Sequence, residues 1–488
     1  MRHYLALDLG AESGRAILGS IDEGKLKLQE LHRFENTPVQ IPQGLYWDTL
    51  RLWHEMQEGM RAAGARNGLG LSGIGVDTWG VDFGLFGADG SLVDNPRHYR
   101  DARNNGILDK LFAAVPRQEV FAHTGIQFMQ INSLCQLYAA KLSGASALPV
   151  VSRLLMMPDI FNYWLTGVGK AELTIASTSQ MYNPAKRRWA AELVEKLGLP
   201  ASILPEIVPP GTLLGPIRPE VAAATGLAPD TPVFATASHD TASAVAAVPA
   251  QGADWCYISS GTWSLMGVEL DEPVMNEQAL AENLTNEVGA EGRIRLLKNI
   301  AGMWPLQECR RAWAREGHEY TYGELAEMAE EAAPFSAVID PDAFLEPGRM
   351  PERIAEYCKS TGQAPPDQPA GMVRVIFESL ALRYREVLEG IERLLGRKLR
   401  VIHIVGGGSR NRLLNQLVAD AAQRVVVAGP TEATAAGNVL VQAVGSGLFS
   451  GLAEARAVVR ASFPVESFEP QGPSGWDEAY ERFRKLRG

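Results

Sequence analysis

Near the middle of the 488-residue chain one carboxylate stands among small residues, in Ala237-Ser238-His239-Asp240-Thr241-Ala242-Ser243. The strand-like run Val233-Phe234-Ala235-Thr236 precedes it, so this is a place where backbone can approach a ligand closely. Two roles suit Asp240. Its carboxylate can orient a bound hydroxyl and accept its proton, or Ser238 or Asp240 can simply cap a helix running from Ala242 to Val248.

Three glycine turns elsewhere suit the binding of a nucleotide. Tyr4-Leu5-Ala6-Leu7-Asp8-Leu9-Gly10 meets the turn Ala11-Glu12-Ser13-Gly14 before Arg15-Ala16-Ile17-Leu18-Gly19 resumes, a pattern that favours a hairpin. Backbone N–H groups in such a turn can cradle phosphate, and Asp8 at the strand end can hold a hydrated Mg²⁺. An ordinary hairpin with an Asx-type turn fits the same residues. Trp255-Cys256-Tyr257-Ile258, Ser259-Ser260-Gly261-Thr262-Trp263 and Ser264-Leu265-Met266-Gly267 repeat the layout, which points to two related halves and suits a nucleoside triphosphate; two unrelated hairpins are the alternative. The third turn is Gly406-Gly407-Gly408-Ser409-Arg410-Asn411, between the strand Val401–Val405 and a helix from Leu413 to Ala422. Three glycines are costly to order, and strand, glycine turn and helix make a nucleotide-binding layout. His403 reads as a strand residue.

A fourth stretch, Ile74 to Phe86, sets Trp79 near Asp77 and Asp82, the composition of a polyol pocket with an aromatic face and carboxylates for hydroxyls; a Trp buried in a sheet core is the other reading. Tyr99-Arg100-Asp101-Ala102-Arg103-Asn104 reads mostly as solvated loop charge.

The elements that must position these residues follow from periodicity. Helices are expected at Leu50–Ala63 and over most of 108–226, with Asn132–Leu137 and Met156–Phe161 each opening an amphipathic run. Pro205–Pro219 is rich in Pro and Gly and reads as a loop. Ile376, Leu380, Tyr384, Val387, Ile391 and Leu395 recur at three- and four-residue spacing, which predicts a helix over Met372–Leu395 stopped by Gly396. Residues 431–449, with Ala435-Ala436-Gly437-Asn438, predict a small-residue helix packed closely on its neighbours.

Composition bounds the rest. At 46% hydrophobic and 21% charged residues the chain is that of a globular α/β protein, and its length calls for two or more domains. A formal charge of −11 argues against a nucleic-acid binder, which needs a basic face. Cys135, Cys256, Cys309 and Cys358 are too scattered for a zinc site or a disulfide framework. The N-terminus lacks the pattern of a signal peptide and no apolar run reaches roughly 18 residues. A soluble, cytoplasmic protein is expected, with no membrane partner.

In this order the pieces resemble the FGGY-family carbohydrate kinases. The resemblance is carried by Asp8-Leu9-Gly10 with Ser13-Gly14-Arg15, Ser238-His239-Asp240-Thr241, Ser259-Ser260-Gly261-Thr262 and Gly406-Gly407-Gly408, and it spans Leu5 to about Asn438. Gly75–Phe83, Tyr99-Arg100-Asp101, Ser238–Val245, Ser260–Gly267 and Glu291-Gly292-Arg293 resemble most the members that phosphorylate L-rhamnulose. The resemblance implies an α/β fold of two ribonuclease H-like domains, shared with actin, hexokinase and the heat-shock chaperone ATPases, flanking a cleft. It implies an N-terminal domain over 1–244 and a C-terminal one over 245–488, and the sequence leaves monomer or dimer open. It implies ATP-dependent transfer to the C1 hydroxyl of L-rhamnulose, with L-fuculose, L-xylulose, glycerol or a non-catalytic ATP-binding sensor as alternatives. Asp240 would be the base. Trp79, Gly80, His239, Thr241 and Asn299 would line the sugar site. Residues Ala11, Glu12, Ser13, Gly14 and Arg15, with Gly261 and Thr262, would hold the ATP phosphates, Gln307 and Gly406, Gly407 and Gly408 the nucleoside, and Asp8 the Mg²⁺.

Overall fold

The computed structural model describes residues 1–488 except Asn67, Pro473 and Gly488. Two compact units divide the chain. One comprises Met1–Pro249, Glu269–Leu296 and Ala433–Ser462, the other Ala250–Val268, Leu297–Glu432 and Phe463–Gly488.

In the first unit six strands form one sheet, in the order Thr212–Pro216, Pro232–Ala235, Leu71–Thr78, Arg2–Leu9, Ser13–Asp22, Lys25–Glu35. The second to fourth run parallel, and the pairs outside them are antiparallel. Leu5, Ala6, Leu7 and Leu9 are all buried, because a central parallel strand is covered on both faces and carries an unbroken apolar run. The register sets Asp8 opposite Arg15 and beside Asp77. Ligands of open α/β sheets bind outside such carboxyl ends. Thr212–Pro216 falls in the stretch expected to be loop: its Pro and Gly are tolerated there because an edge strand needs hydrogen bonds on one side only.

Helix Ala433–Gly445 covers this sheet at short range. A Cβ on Gly75 would lie 2.7 Å from Asn438 Oδ1, and one on Gly437 only 1.7 Å from the Ser243 carbonyl oxygen. The small residues of this helix thus let it touch the strand carrying Asp77 on one side and the helix Asp240–Ala246 on the other. The close packing expected of it is present.

Helix Thr49–Gly64 starts at Asp48, whose side chain accepts the Arg51 N–H, and buries Leu52, Met56, Met60 and Ala63 on one face. Between 107 and 225 lie the helices Ile107–Ala114, Arg117–Thr124, Ser133–Leu142, Met157–Thr166 and Pro219–Thr225. Helix Ser133–Leu142 is not amphipathic: Ser133 through Ala140 are all buried. Its polar residues point inward because they have partners there, Ser133 Oγ donating to Val81 O at 2.5 Å and Gln136 Nε2 to Asp82 Oδ1 at 2.8 Å.

The second unit repeats one local topology of the first. Trp255–Ser260 pairs antiparallel with Ser264–Leu270 and parallel with Val401–Val405, as Arg2–Leu9 does with its own two neighbours. Val425–Ala428 and Glu466–Phe468 extend this sheet. Helix Pro369–Leu395 ends at Gly396, whose φ of 65° is the left-handed stop glycine accepts freely. The Tyr384 hydroxyl on this helix lies 2.7 Å from Ser264 Oγ.

Among the described residues no helix is long and apolar enough to cross a membrane. All four cysteines are free and buried.

Candidate active site

Asp240 opens the helix Asp240–Ala246, whose N-cap is His239 with no side-chain capping bond. Neither Ser238 nor Asp240 therefore serves as the cap weighed from the sequence. Ser238 Oγ instead donates to Thr236 O at 3.3 Å, and an acid in the first turn is favoured by the helix dipole. Two donors of Thr241 reach one oxygen of the carboxylate, and the His239 ring faces the same oxygen. Oδ1 lies 2.5 Å from Thr241 N, 3.2 Å from Thr241 Oγ1 and 3.4 Å from His239 Nε2. Oδ2 has no hydrogen-bond partner among the described residues, and the side chain is 31% exposed. The surrounding protein pushes the carboxyl above its ordinary range, His239 opposes this, and the charge of Asp8 adds to it. With a third of its surface open to solvent, the rise is tempered by screening.

Buried groups hold the turn in front of Asp240. Glu172 Oε2 accepts Ser238 N–H at 3.1 Å and Thr174 Oγ1 accepts His239 N–H at 3.1 Å. Thr78 N–H reaches Ser238 O at 2.9 Å, and Ser243 Oγ reaches Ala237 O at 2.7 Å. The His239 ring is fixed from behind: Arg295 lies 3.0 Å from its Nδ1 and 3.0 Å from Glu287 Oε2. Glu287 is held below its ordinary range, since burial, which alone would raise it, is outweighed by the adjacent His239 ring and by the charge and hydrogen bond of Arg295.

At the sheet ends Arg15 pairs with Asp8 at 2.5 Å. Asp77 accepts from Asn438 Nδ2 at 2.5 Å through one oxygen, while its buried Oδ1 has no partner among the described residues. Burial first, and then the charge of Asp8, drive the Asp77 carboxyl well above its ordinary range, and Asn438 opposes them. The turn after Gly10 has Ala11 and Ser13 half-buried and Glu12 exposed. Its shape is kept by Gly10 N–H to Ser13 O and by Asn36, whose side-chain amide donates to Gly10 O at 2.8 Å. Gly14 has a packing reason of its own: a Cβ there would lie 2.2 Å from the Phe34 ring.

Trp79 is buried, its ring 4.1 Å from that of Trp47. Both indoles donate to Asp82 Oδ2, at 3.0 and 2.6 Å. Burial raises Asp82 to about 6, against four donors that lower it. Gly80 is half-buried, and a Cβ on it would come within 3.2 Å of His239 Nε2. Tyr99, Asp101 and Asn104 are buried as well, so the solvated-loop reading of this stretch is corrected. Asp101 takes the Leu45 N–H at 2.6 Å and the Arg103 N–H at 3.0 Å, which repays its burial.

The second unit carries Asn299, Gly261, Thr262, Gln307 and the triple glycine. Gln307 Nε2 donates to Thr262 Oγ1 at 3.2 Å, joining two residues expected to serve different parts of a nucleotide. Gly302, at φ 55°, lies where a Cβ would be 2.5 Å from the Trp263 carbonyl carbon, so the Gly261–Trp263 turn rests directly on its backbone. Gly406 adopts φ 84°, and Gly407–Arg410 form a turn of 3₁₀-helix before the helix Arg412–Ala422. A Cβ on Gly408 would lie 2.0 Å from Ser260 Oγ, which brings two of the glycine turns together.

Residues 3–247 match the model of the N-terminal domain of the FGGY family of carbohydrate kinases, and residues 256–446 that of its C-terminal domain. The chain belongs to the FGGY family of carbohydrate kinases. It is similar to the rhamnulokinase of Bacteroides thetaiotaomicron, 46% identical over 485 residues and covering 99% of each chain, and to that of Oceanobacillus iheyensis, 39% identical over 95% of this chain and 97% of the other. Among solved structures it resembles ligand-bound xylulose kinase from Lactobacillus acidophilus, with a TM-score of 0.80 at 17% identity over 100% of this chain and 96% of that one. It also resembles glycerol kinase from Plasmodium falciparum with ADP, with a TM-score of 0.78 at 14% identity over 100% and 98%. The α/β, ribonuclease H-like FGGY kinase fold is therefore present, and the chain is an ATP-dependent sugar kinase.

Several residues around Asp240 had no signal in the FGGY motifs. Glu172, Thr174, Glu287 and Arg295 converge on its turn from distant segments, each an ordinary polar residue in its own neighbourhood. Asn438 was visible only as one polar residue in a small-residue helix.

Proposed function

We propose that this kinase transfers the γ-phosphoryl group of ATP to the C1 hydroxyl of L-rhamnulose, giving L-rhamnulose 1-phosphate and ADP, in the cytoplasmic catabolism of L-rhamnose. One observation carries the choice of sugar: similarity to rhamnulokinases over essentially the whole chain, at 46% identity to the B. thetaiotaomicron protein. The net charge of −11 agrees with small-molecule partners and with no role for nucleic acid.

Asp240 is the base in this reading. Its Oδ1 accepts from Thr241 and faces the His239 ring, which leaves Oδ2 to take the C1 proton. The sugar oxygen bonds to the γ-phosphorus as the bond from that phosphorus to the bridging oxygen of ADP breaks, and the proton passes to Oδ2. Because the transition state is loose, a carboxylate suffices when deprotonation is late, and alignment provides most of the rate. Gly80, His239 and Thr241, with Trp79 behind them, line the sugar site, and Asn299 is assigned to it by resemblance to the family. Residues 11–15 offer backbone N–H groups to phosphate. On the second unit Gly261 and Thr262 hold phosphate, and Gln307 with Gly406–Gly408 holds the nucleoside.

Mg²⁺ fits the residues present. Among the described residues no three His, Cys, Asp or Glu side chains form an all-protein metal cage, and Mg²⁺ prefers one or two carboxylates with water and phosphate. Asp8 would hold it through water, beside the unpartnered Asp77 Oδ1. When bound, it neutralises charge that develops on the phosphate oxygens.

A panel of L-rhamnulose, L-fuculose, L-xylulose and glycerol with coupled ADP detection tests the substrate. Preference for L-rhamnulose is expected; equal rates on glycerol and L-rhamnulose would overturn the choice.

A further inference from the structure

The geometry points to Arg295 and Glu287 as positioning residues that fix the His239 imidazole with its hydrogen on Nε2, so that this N–H faces Asp240 Oδ1 and leaves Oδ2 as the oxygen facing the substrate hydroxyl. This rests on Asp240 being the base and adds how that base is aimed.

Arg295 is 0% exposed, and its Nη2 lies 3.0 Å from His239 Nδ1 and 3.0 Å from Glu287 Oε2. A guanidinium only donates, so Nδ1 must accept and the ring hydrogen of the neutral imidazole resides on Nε2. That nitrogen is 3.4 Å from Asp240 Oδ1. Glu287 Oε2 is also 3.3 Å from Nδ1, so one guanidinium nitrogen serves both acceptors. Further bonds to Val288 O, at 3.3 Å from Nε and Nη2, lock the guanidinium. The backbone that carries the ring is tied as well: His239 N–H donates to Thr174 Oγ1 at 3.1 Å, and Gly80 packs where a Cβ would lie 3.2 Å from Nε2.

A buried Arg–Glu pair is weak evidence for stability, since desolvation consumes much of the attraction. Its value here is orientational. With the opposite tautomer, a lone pair on Nε2 would face Asp240 Oδ1 at 3.4 Å and repel it, turning the carboxylate.

Two measurements on the full chain test this. In protein carrying ¹⁵N-histidine, the His239 ring signal, assigned by its loss in His239→Gln, is expected to show a neutral ring protonated on Nε2 at pH 7.5; an Nδ1–H ring or an imidazolium overturns the inference. In kinetics, Arg295→Met is expected to lower kcat about 10- to 100-fold, the scale of a misplaced reacting group, with KM for ATP and sugar within about threefold of wild type. The same change made in Asp240→Asn is expected to cost nothing further, because both act on one function. Multiplicative losses, or a fully active Arg295→Met beside an inactive Asp240→Asn, overturn the positioning role alone. Near-normal turnover of Asp240→Asn removes the base itself and is thus a separate failure. Should Arg295→Met melt non-cooperatively, Arg295→Met with Glu287→Met removes both charges together and carries the same expectations.

Discussion

Glu172 Oε2 accepts the backbone N–H of Ser238 at 3.1 Å, so a fully buried carboxyl group grips the chain two residues before Asp240. Its other bonds go to Thr174 N, Thr174 Oγ1 and Ile175 N, at 2.8, 2.6 and 3.1 Å. Burial raises Glu172 from 4.5 to about 7, and these four donors limit the rise. A folded value above the unfolded one means that the folded state holds a proton the unfolded chain has released. The stability this contributes is full below pH 4.5 and is lost as pH rises through about 7. Glu172→Gln cannot titrate. The urea midpoint of wild type relative to Glu172→Gln is therefore expected to fall between pH 4.5 and 8, and a constant difference would contradict the assignment.

Asp82 gathers Trp47 Nε1, Trp79 Nε1 and Tyr99 N on Oδ2, and Gln136 Nε2 on Oδ1. All four partners donate, so Asp82→Asn turns an amide N–H₂ toward at least one donor. A cost of about 1–3 kcal/mol is expected, the scale of a buried group left unsatisfied. Urea unfolding followed by tryptophan fluorescence at pH 8 measures it; an unchanged midpoint would show that the four bonds contribute little.

The sequence and the structure agree where neighbours along the chain suffice. Gly396 stops a helix whose apolar spacing is visible over residues 372–395, and the hairpin around Gly10 follows from turn residues between two apolar runs. Agreement fails where burial of polar groups depends on distant partners. Asp101 reads as surface charge, yet it is buried because it accepts the N–H of Leu45, 56 residues away. Arg295 looks like a polar residue on a strand until the fold brings it to His239, likewise 56 residues away. Asp240 itself is legible as an isolated carboxylate among small residues, whereas the choice between its two oxygens exists only in three dimensions.

Gly437 and Ser243 define the closest helix contact behind Asp240, with space for a hydrogen and none for a methyl group. Gly437→Ala must push helix 433–445 away from helix 240–246, since the obstacle is backbone. A destabilisation of about 1–3 kcal/mol is expected from this overpacking, together with a fall in kcat larger than any change in KM for the sugar. Thermal melts and steady-state kinetics at saturating ATP check the two parts.

Gln307 and Thr262 share a hydrogen bond at 3.2 Å on the second unit. Gln307→Ala removes one neutral bond worth about 0.5–1.5 kcal/mol, which corresponds to a two- to thirteenfold rise in KM for ATP. The KM for the sugar is expected to stay within about twofold, so an effect confined to the sugar would contradict the division of roles.

The most direct test of the account is turnover by Asp240→Asn, with sugar affinity measured by calorimetry and ADP release measured with L-rhamnulose and ATP. The account predicts a normal melt, sugar affinity within a few-fold of wild type, and sugar-dependent ADP release lowered about 10²- to 10⁴-fold, the scale of a lost general base. Turnover near the wild-type rate would contradict it.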